Sequence, residues 1–410
     1  MKKYVIVGNG TAAVGCIEGI RSVDPEDAIT VISEENRPVY SRPLISYYLE
    51  NKTDLRRMMY RPEGFYEKNG CEVLYGKRAG SIDPAARTVT LCDGSAIPYD
   101  ALCAATGSRP FVPPFEGLDR VKNRFGFMTL DDALALEAAL TKESRVLIVG
   151  AGLIGLKCAE GIRDRVGSVT VCDLADRVLS SILDADCASV VQEHLEKNGI
   201  SFMLGDTAVR FDGNTAYMKS GAEVGFDVLV LAVGVRANSG LIKDAGGEVN
   251  RGIIVNEKCE TSVENVYAAG DCAEGYDASL GANRVLAILP NAYMQGHTAG
   301  VNMAGGEAVF DNAIPMNSIG FFGLHMMTAG TYDGEMTEEK RGGSLRRFFV
   351  KDGLLGGYML IGATDHAGIY TSLIREKTPL DTVDFELTKK AATNMIFSQK
   401  IRRKKFGGVV

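Results

Sequence analysis

The residues best suited to chemistry in this chain are glycines and acids rather than nucleophiles. Gly8-Asn9-Gly10-Thr11-Ala12-Ala13 and Gly150-Ala151-Gly152-Leu153-Ile154-Gly155 share one spacing, Gly-x-Gly-x-x-Ala or Gly. In such a run the first glycine permits a tight turn and the second lets the backbone approach a pyrophosphate. The third small residue lets the following helix pack closely on the strand. N–H groups freed at the helix start then face the phosphates. An acid follows each run, Glu34 after the first and Asp173 after the second, where a carboxylate can accept hydrogen bonds from ribose hydroxyls. No Arg or Lys directly follows Asp173, the next being Arg177. A 2′-phosphate would meet a carboxylate with no ready basic partner, so NADH is expected over NADPH.

Other residues carry weaker signals. Asp271 ends the short apolar run Asn265-Val266-Tyr267-Ala268-Ala269-Gly270 and so stands at a sheet edge. It reads either as a cap for a following helix or as a group holding a polyhydroxyl chain. Arg42 and Pro43 lie in a Pro-punctuated loop that is either a surface connection or a segment along a bound cofactor. Gly234 opens Gly234-Val235-Arg236-Ala237-Asn238, a nucleotide-side loop or a crossover. None of the nine cysteines stands at Cys-x-x-Cys spacing, so neither a zinc knuckle nor a thioredoxin-like pair is encoded locally.

The elements that must position these residues are legible as apolar runs. Tyr4 to Val7 and Arg145 to Val149 read as buried strands entering the two glycine turns. Helices are expected from Val14 to Arg21 and from Leu156 to about Arg163. The second strands are expected at Ala28 to Ser33 and Val169 to Cys172. Short strands follow at Cys71 to Tyr75, Thr88 to Cys92 and Tyr99 to Ala105, with a hairpin turn at Asp93-Gly94. Thr106-Gly107-Ser108-Arg109-Pro110 breaks the last of these and marks a crossover between domains, with Pro113-Pro114 as a stiff exit. A further strand is expected over Phe226 to Val233. A helix reads from near Ser46 and another over Pro290 to Met303, whose start would carry a partial positive charge. Ser344 to Val350 and Leu354 to Ile361 read as a hairpin, and a helix follows at about Gly368 to Glu376.

The chain has 410 residues, long enough for two or three domains, and an ordinary soluble composition. Its net charge of −7 leaves no nucleic-acid footprint. No apolar run approaches the ~18 residues of a membrane span. With an odd cysteine count and no disulfide framework, a cytoplasmic location is expected. Residues 311–410 hold 14 Lys and Arg against 11 Asp and Glu, and Lys400, Arg402, Arg403, Lys404 and Lys405 cluster at the end. That tail reads as a solvated end or as a surface steering an acidic electron-transfer protein.

The order of motifs resembles one group of proteins. A first glycine turn, Ala105-Thr106-Gly107, a second glycine turn and Tyr267-Ala268-Ala269-Gly270-Asp271 together resemble the FAD-dependent pyridine nucleotide–disulfide oxidoreductase superfamily. Tyr40-Ser41-Arg42-Pro43-Leu44 and Leu153-Ile154-Gly155-Leu156-Lys157 are similar to its NADH:rubredoxin reductases, ferredoxin reductases and nitrite reductase flavin domains. The resemblance implies an α/β fold of two Rossmann-like domains and a C-terminal α+β interface domain. The expected boundaries are 1–112 and 237–310 for FAD, 113–236 for NAD(P)H and 311–410 for the interface domain.

The resemblance also implies roles. FAD would meet Gly8, Gly10, Thr11, Ala12, Ala13 and Glu34, with Arg42, Pro43, Thr106 and Gly107 alongside. Asp271 would bind the ribitol, and the helix from Asn291 onward would direct its dipole at the flavin. NAD(P)H would meet Gly150, Gly152, Leu153, Ile154, Gly155, Asp173 and Gly234. Residues 35–50 contain no cysteine, and no His has Glu five residues later, so dithiol chemistry is not expected. Lys157 stands where many relatives carry Glu, and reads as an electrostatic modulator of the flavin or as an exposed helix residue. The expected enzyme passes electrons from NADH through FAD to rubredoxin, ferredoxin or an iron–sulfur partner. Alternatives are an electron-entry subunit of a larger complex and direct reduction of oxygen or small molecules. The quaternary state, homodimer or subunit, is left open.

Overall fold

The apolar runs become the inner strands of two parallel sheets. The computed structural model describes residues 2–390 and 393–405. The chain runs through β1 (Lys3–Val7), α1 (Thr11–Val23), β2 (Ala28–Ser33), α2 (Leu44–Leu49), β3 (Cys71–Tyr75), β4 (Ala101–Ala104) and β5 (Ser108–Pro110). It continues through β6 (Arg124–Phe125), α3 (Leu130–Ala139), β7 (Arg145–Val149), α4 (Leu153–Ile162), β8 (Ser168–Asp173), α5 (Ala185–Lys197) and β9 (Ile200–Leu204). Then come β10 (Val228–Leu231), β11 (Val235–Ala237), β12 (Val266–Ala268) and α6 (Leu289–Met303). The last part contributes β13 (Met316–Phe321), β14 (Leu324–Gly330), β15 (Glu335–Arg341), β16 (Ser344–Lys351), β17 (Leu354–Ile361) and α7 (Ala367–Arg375). Shorter turns and hairpins intervene.

The first sheet has the order β12-β4-β1-β2-β3 and the second β9-β8-β7-β10-β6, with every pairing parallel. Parallel strands covered on both faces need continuous apolar runs, which is what Tyr4-Val5-Ile6-Val7 and Val146-Leu147-Ile148-Val149 supply. Val7 lies opposite Ile32 and Ala104, so the loops after β1, β2 and β4 emerge along one sheet edge. Val149 likewise lies opposite Cys172 and Leu231.

Two compact units divide the described chain. One holds the residues up to Gly275 with Arg284–Phe310, and the other holds Tyr276–Asn283 with the residues from Asp311 on. In the second unit an antiparallel sheet, β13-β14-β17-β16-β15, is covered by α7 over Phe348, Tyr358, Tyr370 and Leu373. The hairpin expected over 344–361 is its β16–β17 pair.

Within the first unit, α1 and α6 cross at very short range. A methyl group on Gly15 would stand 2.2 Å from the Tyr293 carbonyl oxygen, and one on Gly19 2.2 Å from that of His297. On the facing helix, methyls at Gly296 and Gly300 would stand 2.0 Å from the Ala12 oxygen and 2.1 Å from the Cys16 oxygen. Two Gly-x-x-x-Gly faces thus bring backbone onto backbone.

Three expectations are corrected. α1 and α4 begin at Thr11 and Leu153, three residues earlier than read, because Gly10 and Gly152 themselves are the N-caps. α2 starts at Leu44 rather than near Ser46. Pro110 does not end the strand region but lies within β5, opposite Val235 of β11. A two-stranded ribbon is all edge, so a missing N–H is tolerated there. No helix among the described residues is long and apolar enough to cross a membrane.

Candidate functional site

Both glycine turns adopt the same geometry. Gly8 has φ +113° and Gly150 φ +119°, conformations that side chains disfavour. A methyl at either would also collide with the carbonyl oxygen of a neighbouring loop, Ala105 at 2.1 Å or Ala232 at 2.2 Å. At Gly155 only the space is limiting: a methyl there would stand 2.0 Å from the Gly150 oxygen. Gly10 and Gly152 are different: a methyl there meets no protein atom within 4 Å.

That open space lies at the start of α1 and α4. Neither helix has a side-chain cap among the described residues. Two other helices do carry one: Thr129 closes a capping box on α3 and Asp184 accepts the Cys187 N–H at 2.9 Å on α5, whereas α2 and α6 again show none. The first-turn N–H groups of α1 and α4 are therefore available to an anion, favoured further by the helix dipole. These cradles fit the pyrophosphates of FAD and NAD(P)H.

Around the first turn, Asn9 accepts a hydrogen bond from the Tyr66 hydroxyl at 2.6 Å. Burial pushes the Tyr66 phenol up to about 12, so it stays a donor. Glu34 follows β2 with its side chain 74% exposed and 4.0 Å from Arg78 Nε. Gly270, Ala12 and Ala292 converge, a methyl on Gly270 lying 3.0 Å from the Ala12 Cβ and 3.5 Å from the Ala292 Cβ. Gln295 on α6 accepts the Gly270 N–H at 2.9 Å and so holds the loop that carries Asp271. Asn291 is fully buried in the first turn of α6.

Asp271 caps no helix, since a strand follows it. Its carboxylate accepts from Ser108 Oγ at 3.2 Å. Burial raises its pKa, and the Ser108 hydrogen bond and the Arg42 charge oppose that rise. Thr106 and Asn238 clasp each other: Thr106 Oγ1 donates to the Asn238 carbonyl at 2.7 Å, and Asn238 Nδ2 to that of Thr106 at 2.9 Å. This clasp lies beside the β5–β11 ribbon, and Gly234 accepts the Phe111 N–H at 2.9 Å at its other end. Gly8–Ala13, Thr106, Asp271 and Asn291 are thus brought together.

Around the second turn, Asp173 accepts the Ala151 N–H at 2.7 Å and the Ala175 N–H at 2.8 Å. The acid is thereby aimed at the glycine turn it serves. Arg177 is engaged elsewhere, donating to Asp176 at 2.7 Å and to the Leu183 carbonyl at 3.3 Å.

Two basic residues are held by carboxylates. Arg42 turns its guanidinium to Glu35 and donates to the Met128 carbonyl at 3.0 Å. Lys157 is not an exposed helix residue: its side chain is 13% exposed, paired with Glu160 and 4.6 Å from the Tyr47 ring centroid.

All nine cysteines are free thiols. Burial pushes Cys71 up to about 11 and Cys172 up to about 12, so both stay protonated at neutral pH. Tyr66 and Gln295 were not anticipated, because each acts through a partner distant in sequence.

Comparison with known proteins agrees with this geometry. The chain is 32% identical over 393 residues to the NADH-dependent phenylglyoxylate dehydrogenase subunit epsilon of Aromatoleum evansii, covering 92% of each. It is 31% identical to the nitrite reductase [NAD(P)H] of Bacillus subtilis, over 88% of this chain but 45% of that protein, so it spans about half of that relative. Its fold matches the ferredoxin reductase for the CYP199A2 system from Rhodopseudomonas palustris, with a TM-score of 0.87 and 25% identity over 96% of this chain and 100% of that one. Residues 2–296 match the family described as pyridine nucleotide-disulphide oxidoreductase. The protein belongs to that family and is an FAD-dependent NAD(P)H oxidoreductase.

Proposed function

We propose that this protein accepts a hydride from NADH onto FAD and passes the electrons to a separate redox protein of the rubredoxin, ferredoxin or iron–sulfur class. The observation that carries the reading is the pair of matching glycine turns, each opening an uncapped helix, of which only the first is met by Asp271 and the start of α6. FAD takes the first, at Gly8, Gly10, Thr11, Ala12 and Ala13, with Glu34 at the adenosine ribose and Arg42, Pro43, Thr106 and Gly107 alongside. Asp271 binds the ribitol. Asn291 marks the positive end of α6, which favours a negative charge on the bound group. NADH takes Gly150, Gly152, Leu153, Ile154 and Gly155, with Asp173 at its ribose and Gly234 at the loop beyond. Asp173 with Arg177 turned away supports NADH over NADPH.

Bound FAD supplies the chemistry, accepting two electrons as hydride and releasing them singly. The protein's own part is to bind, orient and exclude competing reactions, and no side-chain acid or base is required. Lys157 is a modulator of the cofactor's charge through its pair with Glu160. Residues 1–112 and 237–310 form the FAD-binding part, 113–236 the NADH-binding part and 311–410 the interface domain.

An anaerobic titration with NADH and then NADPH tests the reading. Complete bleaching of the flavin band at one NADH per FAD, with no thiolate-to-flavin charge-transfer band, is expected. Uptake of a second equivalent with such a band would overturn the thiol-free route. A second reading is an electron-transferring subunit of a larger complex, favoured by the match over nearly the full length of both chains to a dehydrogenase subunit. Native pull-down distinguishes the two, since a subunit co-purifies with its complex. Oxygen consumption equal to NADH consumption without any partner would instead favour an oxidase.

A further inference from the structure

The segment between β2 and β3 is bound at both ends to the side of the molecule built around the second sheet. At its first end Tyr40 is buried, and its hydroxyl makes three hydrogen bonds, one of them accepted from Arg42 Nη1 at 3.4 Å. It donates to Glu35 Oε2 at 2.8 Å and accepts the Leu130 N–H at 2.8 Å. Leu130 is the first residue of α3. Arg42 reinforces the contact through Glu35 and the Met128 carbonyl, and Arg37 pairs with Asp131. Burial raises the Tyr40 phenol well above its ordinary value, so the proton it donates is retained.

At the other end, Arg165 donates to the Leu49 carbonyl and to Asn51 Oδ1, the latter at 2.9 Å. It also pairs with Glu137 of α3 at 2.8 Å. Gly161 on α4 lets the Ser46 backbone approach, a methyl there standing 3.1 Å from the Ser46 oxygen. The stretch between the two ties carries Arg42, Pro43 and α2.

Hydride transfer tolerates little misplacement, and contacts between domains of one chain are by default mobile. A tie made of one phenol between two fixed partners supplies register where apolar contact would allow sliding. Thr129 and Asp132 already cap α3. Tyr40 is therefore not needed to start that helix, and its bond to Leu130 serves to locate it.

We propose that Tyr40 is a positioning residue for electron transfer from NADH, bridging Glu35 to the Leu130 N–H and keeping the two nucleotide sites in register. The inference rests on the assignment of the two sites made above. Two substitutions break the same bond from opposite sides. Y40F removes the hydroxyl. L130P removes the N–H at the first helical position, where the proline backbone is tolerated and Thr129 before it is already extended at φ −112° and ψ 163°, although the buried Leu130 side chain is lost with it.

In the FAD-loaded enzyme, NADH affinity is expected to change less than about twofold in either variant, while the rate of flavin reduction at saturating NADH falls about tenfold or more. The long-wavelength absorbance from nicotinamide stacked on flavin should weaken in parallel, which a loss of stability alone does not produce. A lowered thermal midpoint with rate and absorbance unchanged, in whichever variant folds, would overturn the proposal. A wild-type protein that binds no FAD, or whose flavin NADH does not bleach, would remove the underlying assignment instead.

Discussion

Gly8 and Gly10 stand two residues apart and are glycine for different reasons. Gly8 is constrained by its own backbone and by the Ala105 carbonyl, whereas Gly10 faces space that no protein atom fills. Gly8→Ala should cost more than about 2 kcal/mol, through left-handed strain and the collision with that carbonyl. Gly10→Ala, with no clash but a poorer N-cap, should cost the apoprotein about 1 kcal/mol or less, yet weaken FAD binding by about tenfold or more. Urea unfolding of the apoprotein and flavin titration separate the two effects. Asp271 gives a pH-dependent case. Its pKa is raised by burial, so the folded apoprotein favours the protonated carboxyl. That contribution is present below the ordinary carboxylate range and is lost as pH rises through the raised value. Asp271→Asn should therefore make the apoprotein more stable at pH 7 but not at pH 3, and should weaken FAD binding. Equal stability of the two apoproteins at pH 7 would contradict this. Gly8 and Gly10 were legible because a turn and a close approach occur within one short run, whereas Asp271 showed only as an acid at a strand end, with helix capping and polyhydroxyl binding both open. Tyr66 was not, because the Asn9 it holds is 57 positions away.

At the scale of elements, the first strand, helix and second strand of each glycine unit could be read from periodicity and caps. The helix starts were placed three residues late, because glycine N-caps give no side-chain signal. The contact between α1 and α6 was hidden for another reason. Gly15, Gly19, Gly296 and Gly300 show their spacing openly, but nothing local pairs one run with another so far along the chain. That contact sets where α6 begins relative to Ala12, and hence how Ala292 and Gln295 meet the Asp271 loop. Gly296→Ala should destabilise by about 1–3 kcal/mol, as overpacking generally does, and speed FAD release. The recovery of free-flavin fluorescence over time measures the release, and an unchanged rate would separate the helix crossing from the site.

At the scale of the whole molecule, repetition of one motif made the two-nucleotide organisation readable, and the C-terminal hairpin was readable from its turn. The full antiparallel sheet was not, since β13, β14 and β15 are runs of mixed polarity with no alternation strong enough to mark them. Each nucleotide should stabilise the protein by mass action, by about 2.7 kcal/mol at a hundredfold excess over its dissociation constant. Thermal midpoints should rise with FAD and rise again with NAD⁺. A midpoint insensitive to FAD would contradict the reading of the first turn. The bare starts of α1 and α4 carry this further. A polypeptide whose two glycine-turn helices have no side-chain caps of their own among the described residues leaves the synthesis machinery incomplete, and the missing pieces are small molecules made from vitamins. Its abundance in a cell would then follow riboflavin supply: in scarcity the unliganded chain opens more often and meets proteases, so the amount of enzyme falls with the amount of cofactor and no dedicated regulator is required.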